Sequence, residues 1–286
     1  MEPDAFAGRR EESAAPSPGT GLWERAREVI DERAARPATS DPATPHAAQA
    51  PRRTGEQPHP MESMRDGHPA LRELLGGELF DAFAAAYLKA VPPPRASTPA
   101  RLGERFAAHL EEHRPDRVLP AGRREPWIDL VIDLVRYERL FAEVHDGPGT
   151  EEEPPGAWPA EPPERVRAAP GVRLLRARAH VHRYHSAVRR GGRAAVPPPV
   201  PVRLVVFRRD YRVVTASPPP AAFVLLEVLL AGSPLDAASA RAGMDAAAAG
   251  RQVRRWVAQR WIAPIPAGAS GAPPVIRGSS ADSRAD

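Results

Sequence analysis

The chain has 286 residues, enough for two domains of ordinary size, with 36 Pro and 21 Gly that cluster and take part of that length out of any packed core. Having no Cys, it has no disulfides, zinc thiolates, iron–sulfur ligation or thiol nucleophiles. The net charge of +4 hides an asymmetry: residues 1–164 carry 20 basic and 30 acidic side chains, residues 165–265 carry 18 and 4, so the second half should attract an acidic partner, a nucleic acid or the first half of its own chain.

Residues 1–67 read as a disordered N-terminal region. Its one amphipathic stretch, Gly21–Ala35, places Leu22, Trp23, Ala26, Val29 and Ile30 on a single face, and a helix that short is expected to be transient on its own. From His68 the apolar residues recur at three- and four-residue intervals. Leu71, Leu74 and Leu75, then Leu79, Phe80, Phe83, Ala84, Tyr87 and Leu88, predict two helices separated by Gly76-Gly77. Val91-Pro92-Pro93-Pro94 stops the second. A third, capped by Ser97 or Thr98, carries Leu102, Phe106 and Leu110, and a fourth runs from about Pro126 to His145. Residues 68–147 are therefore a small helical domain.

Residues 148–170 read as an extended Pro- and Glu-rich linker that lets its neighbours move independently. Beyond it the period becomes two. Val172–Arg178, Val202–Phe207 and Tyr211–Thr215 predict strands, the last two forming a hairpin. Helices are expected over Pro220–Ala231, Pro234–Ala242 and, from an Asp245 cap, to Trp261. Strands followed by a helix and a helix-turn-helix give residues 171–266 the content of a winged-helix-like domain, and residues 267–286 read as a disordered tail. The fold class is α+β, with a helical domain, a winged-helix-like domain and disordered flanks. No segment suits a membrane: the longest apolar run, Ala221–Ala231, is broken by Glu227 and is about half the length of a span. With a polar N-terminus, the chain is expected in the cytoplasm.

Three segments of the first half, HPALRELLGGELFDAFAAAYLKAVPPP, RLGERFAAHL and DLVIDLVRYERLFAEVHDGPG, resemble the N-terminal domain of the HvfC/BufC family, described as DNA-binding. In the second half, PGVRLLRARAHVHRYHSAV, VRLVVFRRDYRV and FVLLEVLLAGSPLDAASARAG are similar to the family's C-terminal domain. The resemblance covers about two thirds of the chain and rests on the order of several loose motifs. It departs where a helix is expected directly ahead of HPALRELL, for which only Gly21–Ala35 could substitute. The resemblance implies a non-catalytic partner of an iron-dependent TIM-barrel enzyme that modifies cysteines in a ribosomally made precursor peptide. Such a partner binds the peptide's leader by strand addition and presents it. On that reading Val205, Phe207, Arg208, Arg209 and Tyr211, on an edge strand and its turn, are the peptide-binding residues, and iron belongs to the partner enzyme.

The alternative is a DNA-binding regulator, with Arg251, Arg254 and Arg255 on the exposed side of the last helix contacting phosphates. A third option is that the basic half folds against the acidic half of its own chain. His109-Leu110-Glu111-Glu112-His113 matches the H-x-x-E-H zinc pattern, but Arg114-Pro115 ends the helix at once and a solvated last turn is expected. His180, His182 and His185 lie close in sequence, the first two on one side of a strand, without a nearby carboxylate to complete a metal site. Asp129, Asp133 and Glu138 read as a solvated face beside Arg136 and Arg139. Neither a phosphate loop nor a nucleophile elbow is present, so no catalytic residue, metal or cofactor is expected.

Overall fold

The computed structural model describes residues 20–36, 59–92, 102–151, 166–192 and 194–264. The proposed Ser97 or Thr98 cap, most of the linker and the tail lie outside them. The fold is α+β.

Helices α1 (Thr20–Ala35), α2 (Pro60–Gly67), α3 (Pro69–Leu75), α4 (Gly77–Ala90) and α5 (Phe106–Glu112) lead to the long α6 (Pro126–Asp146). Gly76 sits at φ +81 between α3 and α4, a left-handed position where glycine is free of the Cβ penalty. Pro69 and Pro126 start their helices, where the missing N–H costs nothing. After β1 (Val166–Ala168) and β2 (Arg173–Ala177) comes α7 (Val181–Arg189), then the hairpin β3 (Val202–Arg209) and β4 (Arg212–Ala216). The chain continues through α8 (Pro220–Leu230), α9 (Leu235–Ala242), α10 (Ala246–Ala258) and β5 (Ile262–Pro264).

The sheet order is β2-β3-β4, antiparallel throughout, and β1 pairs separately with β5. Alternation along β3 explains how this small sheet holds the molecule together. Val202, Leu204 and Val206 point into one core with Leu175, Ala177 and the helices α1–α7; Val205 and Phe207 point into a second core with α8, α10 and Trp261. Tyr137 on α6 reaches the sheet, its hydroxyl 2.8 Å from that of Thr215. The two expected domains thus share the sheet as a middle layer, and the helical half packs against β2–β4 instead of hanging from them by a linker.

The structure departs from several expectations. Helix α1 is packed, burying Trp23, Ala26 and Ile30, with Trp23 edge-on to Phe83 at 4.9 Å; its apolar face lacked an identifiable partner in the sequence, and α3 and α4 provide it. Likewise, α2 is ordered within a region expected to be disordered, burying Met64. His180 and His182 stand at the start of helix α7 and not on a strand.

Asp129, Asp133 and Glu138 are buried, contrary to the solvated face expected of them. Each carboxylate has donors that periodicity does not reveal. Asp129 accepts from Arg114 and Arg178, each at 2.8 Å. Asp133 accepts from the Arg178 backbone N–H and from Arg136. Glu138 accepts from the N–H groups of Ala70 and Leu71 at the start of α3.

Candidate functional site

The residues expected to grip a peptide occupy different surroundings. Strand β3 is central, paired with β2 on one side and β4 on the other, so it offers no free edge. Val205 and Phe207 are buried, Phe207 lying 5.1 Å from Trp261. An Arg-rich strand read as an edge because β2 is distant in sequence and its pairing is not encoded locally.

Arg208 is committed internally. Its guanidinium donates to Glu151 at 2.8 Å and to the carbonyls of His145 and Gly147 at 2.9 and 2.6 Å. That bond to Arg208 holds the Glu151 carboxyl below its ordinary range. The segment after α6 is thereby strapped against the turn end of the hairpin, and Arg260 adds a bond to the Thr150 carbonyl. The approach is so close that a Cβ on Gly149 would clash with the Glu151 carboxylate and the Arg208 guanidinium. With Arg178 on Asp129 and Arg173 near Glu143, the basic half is partly neutralised by acidic groups of its own chain.

Arg209 and Tyr211 are exposed at the hairpin tip. Asp210 and Tyr211 take φ of 49 and 58 between the Arg209–Arg212 pair, the two-residue turn that matches strand twist but favours Gly at its second position. Tyr211 is 66% exposed.

Strand β4 is an outer strand. None of its five residues is buried, and Val214 is 38% exposed, whereas the other outer strand, β2, buries Leu175 and Ala177. In a ladder closed by a two-residue turn, the Arg209–Arg212, Phe207–Val214 and Val205–Ala216 pairs exchange hydrogen bonds, leaving the N–H and C=O of Val213 and Thr215 directed outward. No backbone bond from outside the ladder reaches those two residues among the described residues.

Helices α9 and α10 form a helix-turn-helix through Gly243, at φ +63, and Asp245, whose side chain caps the Ala248 N–H. Val253 and Trp256 fix the inward face of α10; Arg251, Arg254 and Arg255 are exposed and make no ion pair among the described residues.

Among the described residues no three His, Cys, Asp or Glu side chains group to hold an ion. His109 is buried, correcting the solvated last turn expected of it, and its ring lies tilted against that of His113, the centroids 4.2 Å apart. Burial, then the neighbouring His180 and Arg183, lower His182 to about 4; burial, then Arg189, lowers His185 to about 3.

Sequence reasoning missed Arg114, whose side chain is fully buried between Asp116 and Asp129. An Arg-Pro pair read only as a helix stop; its sole sequence trace is the Asp two residues later. Burial alone would lower the Arg114 pKa and raise that of Asp116, but the mutual bonds prevail, raising the former and lowering the latter.

A scan against protein-family models finds no match to the chain, and a search of curated proteins finds none either. No described helix is long and apolar enough to cross a membrane.

Proposed function

We propose that the chain is a non-catalytic adaptor that takes an extended peptide segment as an added strand on β4 and presents it to a modifying enzyme. The observation supporting this is the outer strand β4, with the backbone groups of Val213 and Thr215 unpaired from outside and Val214 exposed between them. Added-strand binding draws affinity from such backbone groups and selectivity from alternate side chains. Tyr211, Arg209 and Arg212 at the tip of the same hairpin favour an acidic segment. The resemblance to the HvfC/BufC family supplies the enzyme class, an iron-dependent TIM-barrel protein acting on cysteines of a ribosomal precursor. The adaptor's contribution to catalysis is then a raised local concentration of the target residue. The peptide-binding residues of this reading are on β4 and the turn, in place of Val205, Phe207 and Arg208.

Pull-down of the tagged full chain from nuclease-treated native lysate, with mass spectrometry of what remains bound, tests it. Recovery of a short Cys-containing peptide with an iron-dependent enzyme is the expected result. Val213→Pro removes one outward N–H at a strand edge, where proline is tolerated, and should weaken the peptide roughly tenfold or more. Peptide binding unchanged in that variant would defeat the edge-strand reading.

A second reading is favoured by one observation, the exposed Arg251, Arg254 and Arg255 on the second helix of the helix-turn-helix. DNA bound there would weaken steeply with salt, about one unit of log–log slope per phosphate contacted, and charge reversal of the three residues would abolish it.

A further inference from the structure

Between α5 and α6 the chain makes a loop whose tip, Arg117 to Arg124, reads RVLPAGRR: three Arg and no carboxylate, within a half whose net charge is −10. Val118 at its apex is 89% exposed, the most exposed large apolar side chain described, and Leu119 beside it is 39% exposed. Scattered exposed apolar residues are ordinary. This pair differs in how it is held.

Both ends of the loop are fixed by buried charge. Arg114 donates to Asp129 at 2.8 Å and to Asp116 at 3.0 Å, and Asp116 in turn accepts the Glu125 N–H at 2.6 Å, which closes the loop. Backbone groups on either side of Val118 bond within the loop: the Leu119 N–H donates to the Asp116 carbonyl at 3.0 Å, and the Leu119 and Arg117 carbonyls accept from Arg124. Arg117 itself donates to the Glu112 carbonyl. The molecule thus spends a buried ion network on fixing a loop that contributes no apolar side chain to either core. An apolar pair held in one conformation loses little freedom on docking, and charged neighbours give it the anatomy of an interface, an apolar centre within a polar rim.

We propose that Val118 and Leu119 form a docking knob for a partner protein, inserting into an apolar pocket rimmed by carboxylates that pair with Arg117 and Arg123. The surface is separate from β4, and the inference stands whether or not β4 takes a peptide.

The test places a benzophenone amino acid at position 118 of the full chain in its native cell, with the same group at exposed Arg241 as control. A discrete protein adduct at 118, absent at 241, is expected. That partner, purified, should bind Val118→Asp and the Arg117→Glu/Arg123→Glu double variant at least roughly tenfold more weakly than the parent chain. The thermal midpoint of Val118→Asp should be unchanged, because so exposed a side chain supports no core. No adduct at 118, an adduct to nucleic acid or to a second copy of the chain, or a partner that binds Val118→Asp as tightly as the parent would each overturn the proposal.

Discussion

Tyr211 holds a left-handed conformation that costs an ordinary residue roughly 1–2 kcal/mol. Its backbone N–H donates to Glu151, a bond any residue keeps, while its ring is mostly exposed, so little packing repays the strain. Tyr211→Gly should therefore raise stability by about 1 kcal/mol, read as an increased urea midpoint with an unchanged m-value. On the adaptor reading the same variant should weaken the peptide. Gain of stability with loss of binding would mark strain kept for use, whereas loss of stability would show that the ring packs more tightly than its exposure indicates. Arg114 is the opposite case. Arg114→Met removes the cation between two buried carboxylates and should cost about 3–5 kcal/mol, measured by chemical denaturation, because Asp116 and Asp129 are left buried without it.

Among the elements, those with strong local periodicity were legible in the sequence: α3, α4, α6, α8 and α10 fall where their apolar intervals put them, and Gly243 with Asp245 marks the turn of the helix-turn-helix. What stayed hidden was long-range. β3 alternates so that both faces are apolar, and only a sheet covered on both sides explains that pattern; read alone, its Arg residues suggested an edge. The buried Asp129, Asp133 and Glu138 sit at helical positions that pattern alone assigns to solvent, because their donors, Arg114, Arg178 and the N–H groups of α3, come from elsewhere in the chain. For the same reason α1 looked dispensable. Its Trp23 lies against Phe83 and 5.8 Å from Trp127, and its indole N–H donates to the His113 carbonyl. Trp23→Ala should cost about 3–5 kcal/mol, and deletion of residues 1–36 should expose the same apolar surface to a dye such as ANS. A transient α1 predicts neither effect.

The whole molecule carries titratable groups that oppose one another. Burial, ahead of weaker influences, lowers His68 to about 4, His182 to about 4 and His185 to about 3 from an ordinary 6.5. Groups lowered on folding contribute stability that is complete above pH 6.5 and is lost as the pH falls toward those values, since the unfolded chain takes up protons first. Glu138 behaves oppositely. Burial, against the bonds from Ala70 and Leu71 and the charge of Arg189, raises it from 4.5 to about 8, so its contribution is complete below pH 4.5 and lost as the pH rises through 8. Asp133 is shifted in the same direction by burial. Between pH 4.5 and 6.5 three histidines outweigh two carboxyls and stability should fall with acidification; between about 6.5 and 8 Glu138 prevails and stability should fall with rising pH. The thermal midpoint should accordingly peak near pH 6.5–7. Glu138→Gln, which can still accept from α3, should flatten the alkaline limb and leave the acid limb intact. An alkaline limb of unchanged slope in that variant would mean that Glu138 is ionised throughout, and that the α3 N–H groups and Arg189 outweigh its burial.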